Sequence, residues 1–395
     1  MIDTKSYRTK TLFQSCNNVK TSEKFWNIGL DIGYSAVKVF SGNSIACFPA
    51  YALIDNGFDR EINIEGVSDL NETIKYRDED GIIWTVGAAA QDRIDPADTS
   101  AGSSEIYIRN RYESPMFRVI TRVGLAAGMR NNQYGSAANK KIKVVTGLPP
   151  KYVKSDTAKI IEAMAKKHHF DVKFGRNEWE HFDISLSPED IHVISQPEGT
   201  LYSLSADKEL NLTKDAIQYF NKKVLIMDSG FGTLDMFPFE KGRVNLSMCQ
   251  TYQRLGMKAV IEDTVSEIND LYQTEISVPA FQQNLVTGKV RGKIGAGYSN
   301  IEINNLLEKH SKDICYRALE KIIVAYDPAA TYDFFVVTGG TCAAWKHYIR
   351  EHKYFIDNPI LQIVDGNQGD PELPYIFSNV RGYYIEASAS SSAAE

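Results

Sequence analysis

The chain has 395 residues, more than one ordinary core accommodates, so two or three domains are expected. Its 43% hydrophobic and 24% charged residues are the composition of a soluble globular protein, and a net charge of −6 argues against a broad non-specific nucleic-acid surface, though not against a local basic patch. Five scattered cysteines with no CxxC pair exclude a disulfide framework and a cysteine zinc site and suit a reducing cytoplasm, and no apolar run reaches the ~18 residues of a membrane span.

Residues 1–26 are polar, lack periodicity and carry no apolar signal core, so a flexible extension is expected there. Asn27 to Phe40 reads as a strand, a tight turn and a returning strand: Ile28, Leu30 and Ile32 alternate with Gly29 and Asp31, and Gly33-Tyr34-Ser35 turns the chain. In the return strand Ala36, Lys38 and Phe40 share a face, which brings Lys38 back over the turn. Ser41 to about Ser104 is mostly strand-like, with a strand at Ile82 to Gly87, a short helix at Ala88 to Gln91 and a loop from Thr99 to Ser104. Ser114-Pro115 opens a helix as cap and first residue. Ile142 to Val145 is a strand stopped by Thr146-Gly147-Leu148-Pro149-Pro150, and a helix is expected from Ser155 to His169, with His168-His169 as favourable charge at its C-terminal end. No histidine cluster with metal-ligand spacing is visible. Ile191 to Ser195 is a strand, and Gln196-Pro197-Glu198-Gly199 breaks it ahead of a helix to about Ser205.

Val224 to Asp235 repeats the first hairpin: an apolar run ends in Asp228, Gly230-Phe231-Gly232-Thr233 turns, and a second apolar run returns. In both copies Gly follows Asp by two residues, then an aromatic residue, and seven residues after each Asp comes a charge, Lys38 or Asp235. Half a chain length separates Asp31 from Asp228, which suggests two related halves. Glycines let such a turn press against a ligand, its successive N–H groups form a concave anion site, and the strand-end Asp suits a hydrated Mg²⁺ beside phosphates. Val244 to Met248 is expected as a third strand, and Leu255-Gly256-Met257-Lys258 starts a helix to about Tyr272. Val278 to Val290 and Ile301 to Ala325 read as helices separated by a Gly-rich stretch. Phe334 to Thr338 is a buried strand, Gly339-Gly340 turns it, and a helix runs from Thr341 to about Tyr348. Tyr375 to Ile385 reads as a helix containing Asn379-Val380-Arg381-Gly382, and Ala387 to Glu395 as disordered Ser/Ala-rich tail.

Two acid-and-glycine hairpins followed by a strand-Gly-Gly-helix turn resemble the superfamily of actin, sugar kinases and heat-shock chaperone ATPases. The resemblance spans about Ile28 to Ile385. Within it the chain looks most like the plasmid-segregation actins of the ParM or StbA type, through Trp84 to Ala90, Thr146 to Pro150, the Gln196 to Gly199 connector, and overall length. It implies an α/β, actin-like (ribonuclease H-like) two-domain ATPase fold with nucleotide in the interdomain cleft. The division expected is an extension at 1–26, domain I at 27–195 plus 378–395 with an insert at about 45–105, and domain II at 196–377 with an insert at about 257–330.

The resemblance also implies roles. Asp31 and Asp228 hold Mg²⁺ through water and act with Gln196 as the catalytic set. Gln196 orients the attacking water, with Glu198 the alternative for that task. Lys38 reaches the β/γ-phosphates, while Gly33, Tyr34, Ser35, Gly230, Phe231, Gly232 and Thr233 line them. Gly256 and Lys258 border the ribose and base, and Gly339, Gly340 and Thr341 the adenine. The implied protein is a cytoplasmic nucleotide triphosphatase, using ATP or GTP with Mg²⁺, whose turnover is coupled to polymerisation. It forms dynamic filaments that segregate plasmid DNA through a DNA-bound adaptor of the ParR type, without touching nucleic acid or membrane itself. A cell-shape or other cytoskeletal actin homologue and a small-molecule phosphotransferase are the alternatives.

Overall fold

The computed structural model describes residues 4–9, 11–18, 21–55, 73–93 and 111–392; the loop expected at 99–104 lies outside them. The chain divides into two compact units. The first comprises Thr9–Ile94, Ser100–Tyr202 and Asn379–Glu395, the second Met1–Arg8, Asp95–Thr99 and Ser203–Ser378.

The strands of the first unit are β1 (Leu12–Ser15), β2 (Phe25–Ile32), β3 (Ala36–Ser41), β4 (Ser44–Pro49), β5 (Ala52–Ile54), β6 (Ile74–Arg77), β7 (Ile83–Val86), β8 (Lys141–Leu148), β9 (Lys167–Phe174), β10 (Glu180–Ser185) and β11 (Ile191–Ser195). Its helices are α1 (Ala88–Gln91), α2 (Pro115–Met129) and α3 (Pro150–Met164), and α4 (Gln196–Ser205) leads the chain out of it. One sheet has the order β1-β4-β3-β2-β8-β11, with β2, β8 and β11 parallel; a second, antiparallel sheet has the order β10-β9-β6-β7-β5. Apolar β2, β3 and α2 enclose the core, with Trp26, Ile28, Leu30, Val37 and Phe117 buried against one another. Ser114 caps α2 as its sequence predicts, its hydroxyl accepting from the Phe117 N–H at 3.1 Å.

In the second unit the chain continues with α5 (Ala216–Asn221), β12 (Lys223–Ser229), β13 (Thr233–Glu240), β14 (Arg243–Val244), β15 (Gln250–Gln253), α6 (Met257–Tyr272), α7 (Val278–Asn284), β16 (Lys289–Ile294), β17 (Gly297–Glu302), α8 (Asn304–Tyr326), α9 (Pro328–Thr331), β18 (Phe334–Thr338), α10 (Gly340–Glu351), α11 (Lys353–Asp357) and β19 (Gln362–Asp365); α12 (Ser378–Ser392) then returns to the first. Its sheet runs β14-β13-β12-β18-β19, with β15 beside β13. In both units an Asp-bearing strand thus has its antiparallel return strand on one side and two successive parallel strands on the other. The duplication suggested by the two motifs is present in the topology.

Several elements differ from expectation. The polar N-terminal stretch supplies β1, which pairs with β4, and a 3₁₀ turn, Thr4–Tyr7, whose Tyr7 is buried in the second unit's core and donates to Ser311 Oγ at 3.0 Å. The helix expected at Ser155 to His169 begins at Pro150 and ends at Met164, because Pro150 suits the first helical turn and Lys167 onward alternates buried and exposed residues. His168 and His169 therefore lie on β9, facing opposite ways. The stretch from Val278 to Val290 is helical only to Asn284, and the Gly-rich segment after it is the β16–β17 hairpin. A 3₁₀ turn at Leu246–Met248 stands where a strand was expected, and α12 carries the Ser/Ala-rich tail as helix to Ser392. No helix among the described residues is long and apolar enough to cross a membrane.

Candidate functional site

The β2–β3 hairpin places Asp31 and Lys38 opposite each other. Lys38 Nζ lies 2.8 Å from Asp31 Oδ2, and the carboxylate is almost wholly buried. Asp31 Oδ1 is buried and takes no hydrogen bond among the described residues. A buried carboxylate oxygen without a donor is costly, so its partner must come from water or an ion. That is the condition an Mg²⁺-bound water would meet, and an oxygen donor beside a glycine turn suits this hard cation.

The Gly33 N–H donates to the Ala36 carbonyl at 2.9 Å and closes the turn. Arg111, which no sequence signal singles out, secures the same turn: its guanidinium donates to the Ile32 and Gly33 carbonyls and stacks on the Tyr34 ring at 4.5 Å. Burial lowers the pKa of this arginine. Ser35 accepts through its carbonyl from the Ala50 N–H at 3.0 Å, which ties the turn to the end of β4.

The β12–β13 hairpin repeats the plan with a different charge. Asp228 faces Asp235 in the register that Asp31 and Lys38 share. Asp235 accepts from the Thr251 and Thr233 hydroxyls at 2.6 and 2.8 Å, and burial, aided by the charge of Asp228, pushes its carboxyl up to about 6. The Gly230 N–H closes this turn on the Thr233 carbonyl at 3.0 Å. Three neighbours converge on it. The Lys258 N–H at the start of α6, just past its N-cap Gly256, donates to the Phe231 carbonyl at 2.7 Å; Thr341 Oγ1 donates to the Gly230 carbonyl at 2.7 Å; and Gly339 lies against Asp228 and Ser229. Gly339 has φ 88°, and any side chain there would overlap Asp228 Oδ1 and the Ser229 carbonyl, so the approach requires glycine. Within this unit the structure brings together Asp228, Gly230, Phe231, Gly232, Thr233, Gly256, Lys258, Gly339, Gly340 and Thr341. The Lys258 ammonium itself extends to Glu262 at 3.8 Å.

Gln196 and Glu198 separate in role. Gln196 is the first residue of α4, at the end of β11. Glu198 Oε2 accepts the Ser195 N–H at 3.1 Å, the reach-back half of a capping box. Where α4 meets α12, Gly199 and Gly382 touch backbone to backbone, and a Cβ on Gly382 would overlap the Gly199 carbonyl. Thr200 donates to Asn379 beside the crossing.

A fold of this topology, with an Asp hairpin in each of two duplicated sheets, is the actin-like fold. Residues 29–199 match the family described as actin-like proteins, N-terminal domain. No curated protein sequence matches it. Among solved structures it is similar to a 15-stranded ParM filament from Clostridium botulinum (18% identity, TM-score 0.67, covering 93% of this chain and 99% of that one). It is also similar to the actin-like protein Alp7A (14%, TM-score 0.65, 94% and 98%) and to Ta0583, an archaeal actin homologue (16%, TM-score 0.63, 92% and 99%).

Proposed function

We propose that this chain binds and hydrolyses ATP with Mg²⁺ and polymerises into dynamic filaments that segregate plasmid DNA. The observation that carries the reading is the buried Asp31 carboxylate, one oxygen on Lys38 and the other without a donor among the described residues, at the mouth of a glycine turn whose counterpart recurs at Asp228. Asp31 and Asp228 hold the metal through water, and the cation supplies charge neutralisation at the phosphates. Lys38 leaves Asp31 to meet the β/γ-phosphates. Because the Gly33 and Gly230 N–H groups close their turns, phosphate donation falls to other groups of Tyr34–Ser35 and Phe231–Thr233.

Gln196 positions the attacking water, since Glu198 is engaged by the α4 cap. An amide is a weak base, so its contribution is orientation, which supplies much of phosphoryl-transfer catalysis. Gly339, Gly340 and Thr341 border the adenine and Gly256 and Lys258 the ribose and base. The filament part of the reading is supported by likeness to a protein solved as a filament. With a net charge of −6, DNA is reached through a bound adaptor of the ParR type, and the protein works in the cytoplasm.

The test is sedimentation of the purified chain with ATP, GTP, ADP and a non-hydrolysable ATP analogue. Polymer is expected with ATP and the analogue, longer-lived with the analogue. Failure to sediment with every nucleotide removes the filament reading, and a small-molecule acceptor that stimulates turnover without polymer would replace it with a phosphotransferase.

A further inference from the structure

Strand β9, whose first residues are expected from the sequence to end a helix, carries together with β10 a second cluster, unlike the Asp31 and Asp228 hairpins in kind. Strands β9 and β10 pair antiparallel, with His169 opposite Asp183 and Asp171 opposite His181. Phe170 and Phe182 stack on the inner face at 5.6 Å, so all four polar side chains project together from the outer one. One ligand atom from each of His169, His181 and Asp183 lies within 4.8 Å of the others. His169 Nδ1 is 2.7 Å from Asp183 Oδ1, and His181 Nε2 is 3.1 Å from Asp183 Oδ2. Bonds of about 2.0–2.1 Å in a tetrahedral site put neighbouring donors about 3.3 Å apart, so small side-chain rotations suffice.

The outer ring is also built. His181 Nδ1 is 2.7 Å from Asp171 Oδ1, which fixes the tautomer that leaves Nε2 as the ligand. Asp171 is itself held by Arg77, whose Nε donates to Oδ2 at 2.8 Å, while the Arg77 guanidinium stacks on Trp179. A carboxylate–histidine pair anchored by a third residue is how metal sites orient an imidazole. Exposed ion pairs contribute little to stability, so folding alone does not account for the arrangement.

We propose that His169, His181 and Asp183 form a site for a borderline divalent transition metal, Zn²⁺ above all, with water in the fourth position and Asp171 as the positioning residue. Two imidazoles and one carboxylate disfavour Mg²⁺ and Ca²⁺, which prefer oxygen donors. The metal would pin β10, the edge of its sheet, to β9.

The experiment is Zn²⁺ titration of the full chain against a chromophoric chelator, without nucleotide and in excess Mg²⁺ to occupy the carboxylate sites. One high-affinity equivalent is expected, with Co²⁺ giving the intense visible absorption of a low-coordinate site. His169→Ala and His181→Ala should each abolish that equivalent, Asp171→Asn should weaken it about 10–100-fold, and His347→Ala should leave it unchanged. These side chains are exposed or on the outer face, so melting temperatures serve as the folding control. No Zn²⁺ uptake, or uptake indifferent to His169→Ala and His181→Ala, overturns the site. Loss with the histidine variants but not with Asp171→Asn overturns the positioning role. None of these outcomes depends on polymerisation.

Discussion

Lys38 stands directly across the first hairpin from Asp31, its ammonium 2.8 Å from one carboxylate oxygen. Removing the cation leaves a buried charge uncompensated, whereas removing both charges does not. Lys38→Met is expected to destabilise the first unit by roughly 3 kcal/mol, and Asp31→Asn combined with Lys38→Met to recover most of that loss. Urea unfolding of the two single variants and the double variant measures the coupling. Additive effects would show that the pair is not coupled and that Asp31 finds its counter-charge elsewhere.

The α4–α12 crossing sets a second expectation. Gly382 meets the Gly199 carbonyl with no room for a methyl group, while a Cβ on Gly232 would meet nothing within 4 Å. Gly382→Ala must therefore separate the two helices or bend one, and a loss of about 3 kcal/mol is expected. Gly232→Ala, at a turn of open space, should leave thermal stability unchanged. Equal melting temperatures for the two variants would mean that the helices have slack the geometry does not show.

What was legible in the chain follows from how local each signal is. Both Asp hairpins could be read because acid, glycine and apolar alternation all sit within about a dozen residues, and the strand-Gly-Gly-helix turn is equally compact. The β9 strand is masked in the sequence although its alternation is present, because Ile160, Ile161 and Met164 extend a helical period up to it and Pro149-Pro150 reads as a stop rather than a helix start. Arg111 could not be read at all: its contacts with the Ile32 and Gly33 carbonyls span a long stretch of chain and leave no periodic trace. The His169–His181–Asp183 group is hidden for the same reason, since only the β9–β10 register assembles it.

Asp190 predicts a pH dependence. It is almost fully buried; burial acts to raise its pKa, but hydrogen bonds from Lys143, Ser187 and Lys141 outweigh that and hold the carboxyl well below its ordinary 3.8. A depressed folded-state pKa stabilises the fold above the unfolded value and loses that contribution as pH falls through the folded one. Asp190→Asn should thus cost roughly 1–3 kcal/mol at neutral pH, and the gap to the parent chain should close as pH drops below 3.8. Unfolding curves from pH 7 to pH 2 check this, and a gap that stays constant would assign the cost to packing instead.

Gln196 and Glu198 are two residues apart on α4, and their surroundings give them separable phenotypes. Glu198→Ala loses the hydrogen bond from the Ser195 N–H and with it about 1 kcal/mol of helix cap, with turnover by the folded protein unchanged. Gln196→Ala keeps the cap, so folding and nucleotide binding should survive, while hydrolysis slows by an order of magnitude or more if the amide orients the water. Phosphate release under single-turnover conditions, read beside nucleotide affinity and melting temperature, separates the two. Should Glu198→Ala slow hydrolysis while Gln196→Ala does not, the water is held by the carboxylate, and the cap is a secondary duty of the same side chain. If neither variant slows it, α4 does not carry the water-positioning group.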